Sequence, residues 1–242
     1  MIHGAEADSS MFEALMGALA MDFSVVAYDQ RDSGRTENSD TEYGLVDLAD
    51  DAADLIRNIA GASGASRANV YGTSFGGQIA QVLAARHPDV VDRLILGSTW
   101  RVGRPVAEVN PQAVQELARL RTDAQRNAAA IATWFFTQDY LSAHPEVIEI
   151  FRGTTRSAEQ QLRRSRVLVN PPSIDFSRVS ARTLLMAGTR DRLIPPAATF
   201  ELAKDIANAR QVELAGVPHV GPIEAPDRVA QAVRAFLVKT AE

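Results

Sequence analysis

NVYGTSFGGQIA, residues 69–80, begins as a short apolar run of strand character and passes without a linker into a helical pattern. At the junction Ser74 sits between Gly72 and Gly76, with Gly77 following. Glycine loses the most backbone entropy on ordering, so three of them weaken both neighbouring elements unless the turn requires them. A sharp strand-to-helix turn does. It forces strained angles on its central residue and brings backbone so close that the residues two positions either side must be very small. Such a turn lifts the Ser74 hydroxyl above the sheet edge. It also points the Phe75 N–H, at the start of a helix, toward negative charge forming on a ligand. The five-residue pattern alone is a weak signal; a strand before it and a helix after it supply the context it needs.

Working outward, strand-like and helix-like segments alternate. Residues 23–29 (FSVVAYD), 69–73, 93–97 (RLILG), 183–188 (TLLMAG) and 211–215 (QVELA) read as strands, the last three as buried ones. Helices are expected over 75–86, 197–207 and 228–239, and along the stripe Leu45, Leu48, Ala49, Ala52, Leu55, Ile56 and Ile59. Asp47, Asp50, Asp51 and Asp54 lie mostly off that stripe. They could form a cation site, but a solvated helix face is the reading preferred. Strands alternating with helices predict an α/β fold with a mostly parallel sheet covered on both faces.

The chain has 242 residues, 46% of them hydrophobic, enough for one globular unit with a substantial core. It has no cysteine, which excludes disulfides, thiolate metal sites and a cysteine nucleophile. A net charge of −5 argues against nucleic acid as a partner. No apolar run reaches the ~20 residues of a membrane span, and no leader pattern opens the sequence. The expected setting is cytoplasmic, and a homo-oligomer stays open.

Residues 100–175 break the alternation with several helical patterns and no strand. They carry ten arginines against eight acids, so the acidic balance lies in the remainder. A mildly basic helical insertion over an acidic body resembles a lid. The alternative, preferred at this stage, is that these are ordinary surface arginines in a chain whose only lysines are Lys204 and Lys239.

A serine hydroxyl is a poor nucleophile until a base takes its proton, and the base needs an orienting acid. Of four histidines, His87 reads as a capping or surface residue and His144, before Pro145, as the start of a helix. His219, in AGVPHVGPIEAPDRV, directly follows the last predicted strand. Loops at the carboxyl ends of parallel strands form the ligand crevice of such sheets, which makes His219 the candidate base. Asp191, in LLMAGTRDRLIPP, stands just beyond another strand at the same end. The order Ser74, Asp191, His219 is that of triads built on this turn.

These residues, with MIHG, AYDQRDSGRT (27–36) and GVPHVG, make the chain resemble the α/β-hydrolases over nearly its whole length. The resemblance implies Ser74 as nucleophile, His219 as base and then acid, and Asp191 as the group orienting the imidazole. It implies a core of residues 1–99 and 176–242 with a helical cap at 100–175, and no metal or organic cofactor. It also implies an oxyanion site formed by the N–H groups of Phe75 and Ala5, with His3 holding the loop. The stretch WFFTQDYLSAHPEV (134–147) is similar to that of 3-oxoadipate enol-lactonase-like members, which points to a small ester or lactone substrate. Trp100, Trp134, Phe135 and Phe136 are candidates for the pocket wall, with packing inside the cap as the competing account.

One departure stands out. The family has two antiparallel strands and most of a third before the His-Gly pair, and here only Met1 and Ile2 precede it. Losing a central strand uncovers two rows of backbone groups. Either the start is assigned too late, or residues 23–29 pair directly with 69–73, or a partner chain lends a strand. The gap motivates a second functional reading, a non-catalytic binder or inactive truncated homologue. Carbon–carbon bond hydrolysis and cofactor-free perhydrolysis remain further uses of the same three residues.

Overall fold

The computed structural model describes residues 1–238 apart from 63, 155 and 170, and leaves the side chain of residue 168 undescribed. Four parallel strands, β1 (Ala68–Thr73), β2 (Val91–Gly97), β3 (Arg182–Gly188) and β4 (Ala209–Leu214), form one sheet in sequential order. The register aligns Tyr71 with Ile95, Ile95 with Leu184, and Leu184 with Arg210. Helices follow in chain order: α1 (Glu13–Leu19), α2 (Leu45–Ala62), α3 (Phe75–Arg86), α4 (Val106–Val109), α5 (Pro111–Arg121), α6 (Ala124–Ala132), α7 (Gln138–Ala143), α8 (Ala158–Val169), α9 (Pro196–Phe200), α10 (Gly221–Glu224) and α11 (Pro226–Leu237).

The strands are near-continuous apolar runs because both faces are covered. Val70, Leu94, Leu96 and Leu185 point into a core shared with Leu45, Leu48, Ile79 and Leu83 of α2 and α3. Tyr71, Ile95, Leu184 and Met186, one residue out of phase, pack with Phe12, Leu15 and Leu19 near α1 and with Val229, Val233 and Phe236 of α11. This parallel sheet covered by helices on both faces is the arrangement the resemblance implies, and among the described residues it has four strands. Between β2 and β3 the described residues of 100–175 are helices and turns, as expected, with two small cores of their own.

Several expectations need correction. Residues 23–29 carry no regular secondary structure and join no ladder among the described residues. Nor do they pair with β1. Ile2 fills that slot: its N–H donates to the Tyr71 carbonyl at 2.8 Å, and its carbonyl accepts from the Thr73 N–H at 3.2 Å. Residues 23–29 touch the chain start instead, where the Val26 carbonyl accepts from the Met1 amino group at 2.6 Å. Residues 211–215 belong to an edge strand with Arg210, Gln211 and Glu213 exposed, so they are not buried. The helix expected over 197–207 is α9 followed by a 3-10 turn at Glu201–Lys204, and α11 ends at Leu237, with residue 239 outside the described residues. Ile59 is 41% exposed rather than part of the buried stripe. The acids of α2 form a charged outer face: Asp50 pairs with Arg86 and His87, Asp51 with Arg31, and Asp54 with Arg57. Among the described residues no helix is long and apolar enough to cross a membrane.

Candidate active site

Ser74 stands between β1 and α3 with φ 54° and ψ −123°, a left-handed conformation costly for any residue but glycine. Close packing enforces it. A Cβ on Gly72 would lie 2.3 Å from the Gly76 carbonyl oxygen, and one on Gly76 would lie 2.1 Å from that of Ile2. The turn is bonded from both strands' ends: the Ser74 N–H donates to Gly97 at 2.9 Å, and the Ser74 carbonyl accepts from the Gly77 N–H and the Thr99 hydroxyl. The sequence alone carries the reason for these glycines.

The loop after β3 brings Asp191 to the same end of the sheet, and the loop after β4 brings His219. The loops are stitched together, with the Arg190 N–H donating to the Val217 carbonyl at 3.0 Å and the Gly216 N–H to the Thr189 hydroxyl at 2.7 Å. One Asp191 carboxylate oxygen accepts from the N–H groups of Leu193 (3.0 Å) and Ile194 (2.8 Å). The other lies 2.8 Å from His219 Nδ1, and His219 Nε2 lies 3.1 Å from Ser74 Oγ. A carboxylate only accepts, so Nδ1 carries the imidazole proton and Nε2 keeps a lone pair toward the hydroxyl. Asp191 and His219 are 7% and 4% exposed, and the buried carboxylate is supported by three donors. Phe135, from the helical stretch between β2 and β3, meets the imidazole edge-on-face at 69°, with ring centroids 5.8 Å apart.

Phe75 opens α3 directly after Ser74, and Ala5 lies on the loop that follows Ile2. The loop carrying Ala5 is pressed on the turn, since a Cβ on Gly4 would sit 3.7 Å from the Ser74 Cβ. His3 is fully buried; its Nδ1 donates to the Gly4 carbonyl at 2.8 Å and its Nε2 accepts the Gln30 N–H at 3.2 Å. The Gln30 side chain returns the tie by donating to the His3 carbonyl at 2.8 Å. The Gly4 carbonyl and Ala5 N–H share one trans peptide, so turning the carbonyl to the His3 ring turns the N–H away from it. Burial, reinforced by the Arg164 charge and opposed by the Gly4 bond, pushes His3 down to about 4, so the ring is neutral. Among the described residues neither the Ala5 nor the Phe75 N–H has an acceptor.

Three cap arginines depart from the surface reading. Arg163 and Arg164 of α8 are each 7% exposed, while Leu162 and Val169 on the same helix face solvent. Arg163 forks onto Asp32 at 2.9 and 3.0 Å. Burial opposes the charge on Asp32, but the Arg163 bonds hold its carboxyl below the usual range. Half-buried Arg156 donates to the Asp32 carbonyl, the Ser33 hydroxyl and the Ala7 carbonyl. No hydrophobic periodicity announces a helix that turns arginines inward; the signal lies in the polar run DQRDS, which they face. Gln30 and Arg164 are therefore the positions that reading the sequence missed.

Trp100 and Trp134, candidates for the pocket wall, are both buried. The Trp100 indole N–H donates to the Arg104 carbonyl at 2.9 Å. Trp134 packs in the cap's core beside Leu117 and Ile131, with the Arg192 guanidinium over its ring. Their neighbour Phe135 is the cap ring that touches the site. His144 heads a 3-10 turn, and His87 caps α3 while pairing with Asp50.

The sequence pattern of the alpha/beta hydrolase fold family matches residues 1–226. The enol-lactonase from Burkholderia xenovorans LB400 has a TM-score of 0.79 and 29% identity, over 98% of this chain and 90% of its own. A thermophilic esterase from Thermogutta terrifontis, solved with malate bound, has a TM-score of 0.77 and 27% identity, over 97% of this chain and 87% of its own. A Serratia proteamaculans (strain 568) protein named "Putative carbamate hydrolase RutD" is 25% identical over 247 residues, 96% of this chain and 87% of the relative. The 2-hydroxymuconate semialdehyde hydrolase of Pseudomonas putida is 29% identical over 191 residues, 74% of this chain and 65% of the relative.

Proposed function

Since this chain belongs to the alpha/beta hydrolase fold family and is a hydrolase of that fold, we propose that it cleaves a carboxylic ester or lactone through an acyl-enzyme on Ser74. The observation that carries this reading is the continuous line from Asp191 through His219 to Ser74, at 2.8 and 3.1 Å. Nε2 takes the hydroxyl proton as Oγ attacks the carbonyl carbon. The imidazolium so formed is stabilised by Asp191, whose second oxygen is already fixed by two backbone N–H groups. The tetrahedral oxyanion is received by the N–H groups of Phe75 and Ala5. Collapse expels the alkoxide, which takes the proton from Nε2; in a lactone that alkoxide stays tethered to the acyl group. Water, deprotonated by His219, then releases the acid and restores Ser74. The balance closes without a metal or organic cofactor.

Residues 100–175 serve in this scheme as a cap, and Phe135 against the imidazole supports that role. The similarity to an enol-lactonase and an esterase, each over nearly all of this chain, favours the ester or lactone among the chemistries its relatives' names carry. A fluorophosphonate probe tests the scheme. Labelling at Ser74 that vanishes in Ser74→Ala supports it, and folded wild-type protein that takes no label returns the case to a non-catalytic binder.

A further inference from the structure

We propose that Arg164, on cap helix α8, is the positioning residue of the oxyanion site, holding the Ala5 and Phe75 segments together from the cap side. This rests on the acyl-enzyme reading above and assigns that site a part from outside the core.

The guanidinium of Arg164 donates to the Ala5 carbonyl at 3.1 Å, to the Gln30 amide oxygen at 3.2 Å and to the Arg31 carbonyl at 3.0 Å. Its plane lies over the Phe75 ring, 5.4 Å from the centroid. One side chain thus touches both residues whose N–H groups would receive the oxyanion. The peptide bearing the Ala5 N–H is fixed on its upstream side by the His3 ring, through Gly4. Arg164 fixes the downstream side through the Ala5 carbonyl. Among the described residues Ile2 meets β1 at an isolated bridge, and these two bonds add side-chain hold to the loop that follows it.

The choice of arginine is otherwise hard to explain. A helix position 7% exposed is usually apolar, and a buried cation is costly unless it is paired. Arg163 next door is paired, with Asp32 and with Asp40 at 3.2 Å. Among the described residues the hydrogen bonds of Arg164 go instead to neutral oxygens, and the nearest acidic influence on it is Asp32, which Arg163 already holds. Burial and the nearby Arg156 charge both push its guanidinium below the ordinary value. A guanidinium that holds the Ala5 carbonyl and covers the Phe75 ring fixes the two segments before charge develops between them, so its benefit falls in the transition state rather than the ground state.

The test compares wild type with Arg164→Met and Arg164→Lys, using p-nitrophenyl acetate and mono-p-nitrophenyl succinate as substrates and a fluorophosphonate as active-site label. Loss of an aligned oxyanion donor lowers kcat roughly 100-fold or more. Arg164→Met is therefore expected to lose about that factor in kcat and in labelling rate, on the neutral and the anionic ester alike, with KM nearly unchanged. Arg164→Lys, which keeps the charge but not the fork, should fall between, and carries the test if the methionine variant does not fold. Added guanidinium should restore part of the activity of Arg164→Ala. Folded variants that keep kcat and labelling within threefold of wild type overturn the proposal. So does a loss confined to KM for the succinate ester, which would make Arg164 a substrate-binding group. Wild-type protein that takes no label sinks the acyl-enzyme reading instead, so the two failures are distinct.

Discussion

On one side of Ser74, Asp191 and His219 stand on loops leaving β3 and β4, and backbone bonds stitch those loops together. By contrast, Ala5 follows Ile2, which meets β1 at an isolated bridge, and is held mainly by side chains of His3, Gln30 and Arg164. Backbone ladders and turns fix geometry with groups that do not titrate. Side-chain ties bring burial costs, proton equilibria and dependence on the cap. The proton-transfer side should therefore fail only when its own residues are changed, and the oxyanion side should respond to changes at a distance.

The largest expected effect belongs to the well-braced side. Asp191→Asn keeps the shape but presents an amide that no longer requires a proton on Nδ1, so Nε2 loses its lone pair toward Ser74 for part of the time. A loss of kcat of roughly 10⁴-fold is expected, the size such a tautomer change has in other triads. Steady-state hydrolysis of p-nitrophenyl acetate measures it. A loss under tenfold would mean that Asp191 does not orient the base.

Next comes the seam between the two sides. An alanine Cβ at Gly76 would meet the Ile2 carbonyl oxygen at 2.1 Å and that of His3 at 2.5 Å. These are backbone atoms, so the strand remnant must move. The Ile2 bridge and the seating of Ala5 should be lost together, lowering kcat by about 100-fold, near 3 kcal/mol of transition-state stabilisation. Melting temperature is expected to drop as well, by the cost of an overpacked contact. If Gly76→Ala is as active as wild type, Ala5 is not part of the oxyanion site.

The contrast also predicts a pH signature. His3 has a folded pKa of about 4 against 6.5 unfolded. Above pH 6.5 both states are neutral and nothing is lost. As pH falls toward 4 the unfolded chain takes a proton that the folded one refuses, so stability declines, by about 3 kcal/mol in all. Urea unfolding at pH 7 and pH 4 should show that decline in wild type, and His3→Gln should show a correspondingly smaller one. Equal pH slopes in the two proteins would mean that the ring is not held neutral by the fold.

What was legible in the sequence follows the same division. The strand-turn-helix at Ser74 is written in glycine spacing, because steric crowding at one turn is a local matter. The loops of Asp191 and His219 were found from their positions after apolar runs, since parallel strands place their carboxyl ends at one edge. Residues 23–29 misled because β-branched and aromatic content marks an extended, half-buried segment whether or not a neighbour offers it a ladder. Arg164 left no trace, since its burial depends on where α8 lands against the run from Gln30 to Ser33 and on nothing in its own neighbours. Trp134 illustrates the reverse error: a large aromatic in the cap suggested a pocket wall, and it fills the cap's own core.

The smallest effect is expected where the cap touches the well-braced side. Glu224, at the end of α10 and five residues after His219, accepts from both the N–H and the hydroxyl of Thr137, the residue that caps α7. Thr137→Val removes the hydroxyl, and with it one bond to Glu224 and the acceptor for the Tyr140 N–H. The Thr137 N–H still donates to Glu224 at 2.9 Å and the Val220 N–H to the Phe135 carbonyl at 3.4 Å, so the cap keeps backbone ties to that loop. A stability loss of about 1 kcal/mol is the usual size for a lost helix cap. Because Asp191 and His219 are held by their own backbone, kcat should stay within about threefold of wild type, with Arg164→Met as the contrasting cap variant. Stopped-flow acylation and thermal unfolding on the same preparation separate the two quantities. A tenfold fall in acylation without unfolding would show that the imidazole, like Ala5, is seated by the cap, and the distinction between the two sides would then collapse.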